Sequence, residues 1–332
     1  MKNYDVIFIG GSLMASATAY TMLNENPNLK VLLIEKDSTY KYAATPLALG
    51  GIRQQFSERT NIRMAKSSVE TFENFGEIME TKAFGKPEID LRQGGYLFLV
   101  DESKWPIALE NAQVQKEEGV DIKLLTVRDL QSMLPETDLT GIVGGTVCPR
   151  EGVLDPASVL NGYLRKIKEL GAELTNDEVV GIEADHGKIV SVKCKSGAEY
   201  SAGVFVNAAG PWAKEIGKMI GVDIPVEPMP HDLYVTRMPL DANVGNAYTT
   251  IPSTTWWYRE HEDRDTLLCG KTKLDFKLGF DYNVDMPYFE AEVWPDLADR
   301  MESLDNLRLI KSWRGCYEYN VIDFNAIIGQ HP

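Results

Sequence analysis

The sequence predicts an α/β chain of two domains, a parallel-sheet unit interleaved with an antiparallel-sheet unit. Three observations predict it. Asp5 to Tyr20, DVIFIGGSLMASATAY, reads as a buried strand, a glycine turn and a small-residue helix. KVLLIEKD is a second buried strand ending at Glu35, so strand, helix and strand fall within about thirty residues, a βαβ unit. From Pro225 to Asn306 the chain is richer in aromatics and alternating patterns, which suits an antiparallel sheet.

Each element has its own signal. Val6–Ile9 is a continuous apolar run, as a strand buried on both faces should be. Leu13–Leu23 is a helix of Ala, Ser and Met. NIRMAKSSVETFENFGEIM is helical, with apolar positions at Ile62, Val69, Phe72 and Phe75. Near Arg92 the texture changes: GGYLFLV reads as a strand, Glu102–Glu118 as a charged helix, and LLTVRDLQSMLP as a short helix stopped by Pro135. GIVGGTV is a glycine-rich strand. REGVLDPASVLNGYLRKIKELGAEL is a turn, a proline-started helix and the step to a strand. The stretch from Gly187 to Gly221 is a hairpin, a buried strand at Val204–Asn207 and another helix.

Composition bounds the function. The chain has 332 residues, of which 44% are apolar, enough for a sizeable core. Its 49 acidic against 34 basic residues give a net charge of -15, a field that repels phosphate backbones and anionic lipids. No nucleic-acid partner is therefore expected. No apolar run has the length of a membrane span. The first strand begins within a few residues, so no signal peptide is expected. Cys148, Cys194, Cys269 and Cys316 form no C-x-x-C pair, so no metal is expected and a reduced, cytoplasmic setting fits.

The glycine turn departs from the G-x-G-x-x-G pattern. Gly10 supplies the tight turn and Gly11 adds freedom, but Ser12 and Ala15 stand where the second and third glycines belong. Ser12 is small, and its hydroxyl suits a phosphate. Ala15 serves helix–strand packing nearly as well as glycine. Glu35 is placed to accept ribose hydroxyls and to repel a 2′-phosphate, which disfavours NADP. From these residues alone a nucleotide-free βαβ unit remains the alternative.

Four further stretches bear on the cofactor: TPLALGGIRQQFS, EGVLDPASVL, VFVNAAGPWAKEI and WRGCYEYNVIDFNAIIGQHP. With the N-terminal turn, their order and spacing resemble the D-amino-acid oxidase and sarcosine oxidase family of FAD-dependent oxidoreductases along nearly the whole chain. GGIRQQFS and the C-terminal YNVIDFNAIIGQHP most resemble the branch of dimethylglycine and sarcosine dehydrogenases and of an FAD-dependent oxidoreductase-domain protein of respiratory-complex assembly. The resemblance implies a Rossmann-like FAD-binding domain from 1–90, 150–224 and 310–332, and a substrate domain from 91–149 and 225–309.

It also implies roles. Gly10, Gly11, Ser12, Leu13 and Met14 would line the FAD pyrophosphate, and Glu35 with Lys36 would hold the adenosine ribose. Ala44 and Thr45 would lie along the cofactor. Val179 would touch adenine through its backbone. Ala208, Ala209 and Gly210 would pass close to the flat ring system. Gly50, Gly51 and Ile52 would approach the flavin, with Arg53 at its face to stabilise the anionic reduced form. A domain-bridging ion pair is the other reading of Arg53. Tyr258, Lys271 and Tyr317 match family positions facing flavin or substrate. Lys271 lies near a lysine that assists the oxygen reaction in sarcosine oxidases; Lys273 is its rival in register, and an exposed strand lysine is the alternative. Tyr317 stands where glycine oxidases carry a carboxylate-binding arginine, and Arg314 either compensates or is solvated. Cys316 falls where monomeric sarcosine oxidase attaches FAD by a thioether; a small buried strand residue is the other reading. His231 and His331 are expected to be structural.

The implied activity is FAD-dependent oxidation of the C–N bond of a small N-methylated amino acid. A hydride passes to flavin N5, the imine is hydrolysed, and oxygen or an electron-transfer acceptor takes the electrons. Oxidation of a 2-hydroxy acid on the same fold is a second reading. A weakly catalytic flavoprotein assisting respiratory-complex assembly is a third. In the family, IIGQHP is followed by a strand, a glycine-rich turn and a helix, so a chain ending there is expected to bind FAD poorly and to leave a sheet edge exposed.

Overall fold

The glycine turns and apolar runs fold into three sheets. The structure is a computed structural model that describes residues 1–259, 265–273 and 277–331. The first sheet has six strands in the order Glu173–Asn176 (β8), Val31–Glu35 (β2), Lys2–Ile9 (β1), Glu199–Asn207 (β11), Lys188–Cys194 (β10) and Val179–Asp185 (β9). β8, β2, β1 and β11 run parallel, and β11, β10 and β9 form an antiparallel meander. The parallel strands are buried because helices Leu13–Glu25 and Pro156–Glu169 cover one face, through Ala15, Ala19, Leu23 and Ile167. Pro156 begins its helix where no backbone donor is needed, and the Asp155 carboxylate accepts from Ala157 N.

Only the start of β11 pairs with β10. Along 202–207 its outer edge has no strand partner among the described residues, and Val204 is 51% exposed.

The second sheet has eight strands: Arg308–Asn320 (β16), Val226–Arg237 (β12), Thr266–Lys271 (β15), Thr255–Arg259 (β14), Tyr248–Thr250 (β13), Tyr96–Asp101 (β4), Ile142–Cys148 (β6) and Lys123–Leu125 (β5). All neighbours are antiparallel except β13 and β4, which are parallel. A two-stranded ribbon of Gly51–Ile52 (β3) and Gly152–Val153 (β7) lies between the large sheets in sequence and carries Arg53 just beyond its end.

Two expectations are corrected here. The stretch 310–332 contributes β16, which pairs with β12 from Val226 to Arg237 and so lies in the eight-stranded sheet, not the six-stranded one. The segment Met286–Asn306, expected as strand, is helical. Phe289, Val293, Leu297, Met301 and Leu304 recur every three or four residues and are all buried against the second sheet, and Asp285 caps the entry by accepting from Tyr288 N. Among the described residues no helix is long and apolar enough to cross a membrane.

Candidate functional site

The residues expected around a dinucleotide come together at the C-terminal ends of β1, β2 and β11. Gly10 turns with φ +103, and its α-carbon backs onto Ala208, whose N–H donates to Ile9 O at 2.9 Å. Gly11 N donates to the Glu35 carboxylate at 2.8 Å, which also accepts from Asp37 N. Ser12 begins the helix without capping it; its hydroxyl instead donates to Thr45 Oγ1 at 3.2 Å, which ties Ala44–Leu47 to the turn. The first-turn N–H groups of this thirteen-residue helix thus lack a side-chain cap, as a phosphate requires. Leu13 is half-buried and Met14 is 61% exposed beside it. Val179 is buried at the start of β9. Ala209 and Gly210 lead from β11 into a short 3₁₀ turn. These residues fit a dinucleotide. Lys36 is engaged otherwise than expected: its ammonium sits 3.3 Å from the Trp212 ring centre, and burial lowers its pKa.

Gly50, with φ +84, allows a second close approach. An added Cβ would lie 2.0 Å from Leu154 O, so only glycine permits the crossing of this loop over the entry to helix Pro156–Glu169. The crossing sets β3 on β7 and delivers Arg53.

Strand alternation then sorts the other candidates, since successive side chains point to opposite faces. One face of the eight-stranded sheet packs on the helices after residue 286 through Trp257, Leu267, Cys269 and Leu297. The other face carries a stack of phenols. Tyr96 and Tyr248 stack at 4.0 Å, Tyr248 lies 6.4 Å from Tyr258 and 5.4 Å from Trp256. Trp313 belongs to the same cluster, so Tyr317, four residues along β16, shares this face. Its ring is 5.4 Å from that of His231, whose pKa burial lowers. Burial likewise raises Tyr96 and Tyr248, so both remain neutral phenols able to donate.

Arg53 meets this wall. Its guanidinium carbon lies 4.6 Å from the Phe56 ring centre, 5.6 Å from Phe98 and 5.7 Å from Tyr96. Its Nε is buried and has no hydrogen-bond partner among the described residues. A cation held by aromatic faces and in no ion pair among the described residues is available to an anion. The domain-bridging ion pair is therefore not what the structure shows.

Four candidates lie on the far face. Lys271 pairs with Glu292 at 3.0 Å and Asp296 at 3.1 Å. Burial works against its charge, but these partners outweigh it and raise its pKa. Its register rival Lys273 pairs with Asp285 at 3.2 Å. Arg314 is neither solvated nor directed at the phenols: it holds Asp232 through two bonds of 2.6 Å and Asp281 through a third. Cys316 is 1% exposed, its thiol near Asp281 O at 3.7 Å and raised in pKa by burial. Tyr317 and Cys316 are neighbours on one strand, so they cannot both face the phenol wall. The placement favours the small buried residue over the thioether. Cys316→Ser is expected to leave flavin retention unchanged, with acid precipitation releasing the yellow colour from both proteins. Colour left in the parent's pellet and lost in the variant would overturn this.

Several residues of the site escape sequence reasoning. Tyr96 and Tyr248 pair across strands about 150 residues apart in sequence, a distance that local pattern does not bridge. Arg92, whose guanidinium lies 5.3 Å from the Tyr258 ring centre, gave no signal beyond its charge. Glu151 did give one, as an acidic residue within a run of glycine and apolar neighbours, REGVL.

Comparison with known proteins adds three findings. The family model described as DAO, FAD dependent oxidoreductase, matches residues 5–332. The chain is 28% identical to FAD-dependent oxidoreductase domain-containing protein 1 of Bos taurus, over 99% of this chain and 74% of that protein, and 25% identical to human mitochondrial dimethylglycine dehydrogenase, over 90% of this chain and 34% of that one. The crystal structure of L-proline dehydrogenase from P. horikoshii matches with a TM-score of 0.87 and 25% identity, covering 100% of this chain and 85% of that chain.

Proposed function

The chain belongs to the DAO family of FAD-dependent oxidoreductases, and from that premise we propose that it oxidises the C–N bond of a small secondary or tertiary, N-methylated amino acid. FAD supplies the acceptor for the hydride that leaves the carbon, while the amine nitrogen's lone pair forms the imine that water then hydrolyses. The chain's own residues bind and orient. Gly10 to Met14, with Glu35, hold the cofactor's pyrophosphate and ribose region. Arg53 would face the negative charge, either of the substrate carboxylate or of the bound flavin. Tyr258, packed in the phenol wall, and Tyr317, whose pKa burial raises, close the substrate side.

The observation that carries this reading is the unpartnered Arg53 Nε in an aromatic wall. A rigid, partly desolvated guanidinium binds a small carboxylate well and a neutral amine poorly. The relatives named for dimethylglycine and L-proline support a substituted amine. The test is anaerobic mixing of the flavin-loaded protein with sarcosine, dimethylglycine, L-proline, lactate and trimethylamine. Bleaching by the N-substituted amino acids, absent with trimethylamine, is expected. Arg53→Met should cost about 10²–10³ in kcat/KM. Bleaching by lactate alone would move the assignment to 2-hydroxy acids, and bleaching by none would favour a weakly catalytic flavoprotein.

A further inference from the structure

Among the described residues Glu151 is the one charged side chain with no exposed surface, and the site as described gives it no task. It closes the turn after β6, with its N–H donating to Cys148 O at 3.1 Å, and directly precedes β7. Its carboxylate accepts from both backbone N–H groups that follow Arg53: Gln54 N and, at 2.9 Å, Gln55 N. The side chain of Gln55 donates a third bond, from Nε2 at 2.6 Å. Gln55 is itself fixed, since Nε2 also donates to Tyr96 O at 2.7 Å and its Oε1 accepts from Thr146 Oγ1 at 2.7 Å. All three groups around Glu151 are donors, so the carboxylate satisfies them and a carboxylic acid, which must place one proton among them, does not.

An ionised carboxylate without water is costly unless it does something that a neutral acceptor cannot. Here it ties three segments, β4, β6 and the loop after β3, to the peptide that aims Arg53. We propose that Glu151 is the positioning residue of the site: by holding the Gln54 and Gln55 amides it fixes where the Arg53 guanidinium lies, and so the charge that flavin and substrate meet. Nothing in the family-level reading assigns Glu151. The inference rests on Arg53 having the role proposed above.

The ionised form is the competent one. Burial pushes the Glu151 carboxyl up to about 7, against the hydrogen bonds of Gln55 and Gln54 and the charge of Arg53. The other titratable groups facing it are Tyr96 and Cys148, both raised by burial and therefore neutral in this range. As pH falls through this value Glu151 takes a proton, one donor loses its acceptor, and the Arg53 loop is released.

The test is a double-variant cycle on the flavin-loaded protein, using Glu151→Gln and Arg53→Met. Two readouts serve: kcat/KM, and the affinity for sulfite, which adds to flavin and leaves a negative charge on the ring that a nearby guanidinium stabilises. E151Q is expected to retain flavin, to lower both readouts about 10–100-fold, and to flatten the acid limb of the kcat/KM profile. In an R53M background the same change is expected to do nothing, because the residue acts through Arg53. Should E151Q not fold, Thr146→Val carries the same cycle in milder form, since it removes the hydroxyl that fixes Gln55 Oε1. An undiminished loss in the R53M background, for either variant, would overturn the proposal. Sulfite needs no substrate, so a wrong substrate class fails in the bleaching experiment while the cycle still reads the coupling.

Discussion

Replacing Arg314 by alanine is expected to destabilise the folded chain by about 3–5 kcal/mol, read as a lower denaturant midpoint at unchanged slope. Arg314 and Asp232 are 12% and 10% exposed, and the fork of the guanidinium meets both carboxylate oxygens at 2.6 Å. Removing the cation leaves Asp232 buried without a counter-charge. That stranded carboxylate, more than the lost bond, sets the magnitude. Asp281 contributes little, because it is 45% exposed and water replaces its partner. The double variant Arg314→Met with Asp232→Leu is therefore expected to recover most of the loss, since it removes both charges and keeps apolar volume. Recovery distinguishes a paired charge from a packing defect. An R314A chain as stable as the parent would refute the assignment of Arg314 to the interior of the far face. Catalysis in the double variant should stay close to the parent's, because the pair points away from the phenol wall. If Arg314 instead bound substrate, the double variant would be stable and inactive.

That contrast also shows what could be read from the sequence and what could not. Local signals were enough for the first βαβ unit, the proline-started helix at Pro156 and the β10–β11 hairpin, because each depends on neighbours within a few residues. The convergence at the C-terminal ends of β1, β2 and β11 was legible for the same reason: a glycine turn, an acidic strand end and a small-residue strand end each carry their own pattern. Facing was not legible. Tyr258 and Lys271 both looked directed at the site, yet pairing sets Tyr258 opposite Leu268 and Lys271 opposite Thr255, which puts them on different faces. A register shift of one residue would have exchanged them. In the β12–β16 pair a register shift at Val235/Thr236, where Ile310 of β16 is passed over, adds the same difficulty along β16. The helical stretch Met286–Asn306 was legible in principle. Phe289, Val293, Leu297 and Met301 repeat every fourth residue, a helical spacing, but the aromatic content drew the reading toward strand. Glu151 required the third dimension, since its partners lie almost one hundred residues earlier in the chain.

The strongest expected effect on the cofactor comes from the smallest substitution, Gly10→Ala. The residue has φ +103, and a Cβ there would lie 2.3 Å from Ala208 O and 2.7 Å from Ala208 C. Both are backbone atoms, held in the sheet by the bond from Ala208 N to Ile9 O, so no side-chain rotation relieves the contact. Either the end of β1 moves away from β11, or the turn abandons its left-handed conformation. Both responses shift the Gly10–Gly11 peptide, the first-turn N–H groups and the Glu35 carboxylate that Gly11 holds. The flavin-to-protein absorbance ratio is therefore expected to fall at least about tenfold, because the pyrophosphate contacts depend on all of these at once. Backbone strain alone cannot account for such a loss. Gly187, in the β9–β10 hairpin, has φ +75 but open space around an added Cβ. Gly187→Ala should cost about 1–2 kcal/mol from the left-handed conformation and leave the flavin ratio untouched. The comparison separates strain from close approach: equal flavin loss in both variants would mean that general destabilisation empties the site, and full flavin retention in Gly10→Ala would mean that the cofactor does not pass over this turn. Loss confined to Gly10→Ala ties the cofactor to the crossing of β1 and Ala208, where a side chain meets backbone on both counts of φ and space.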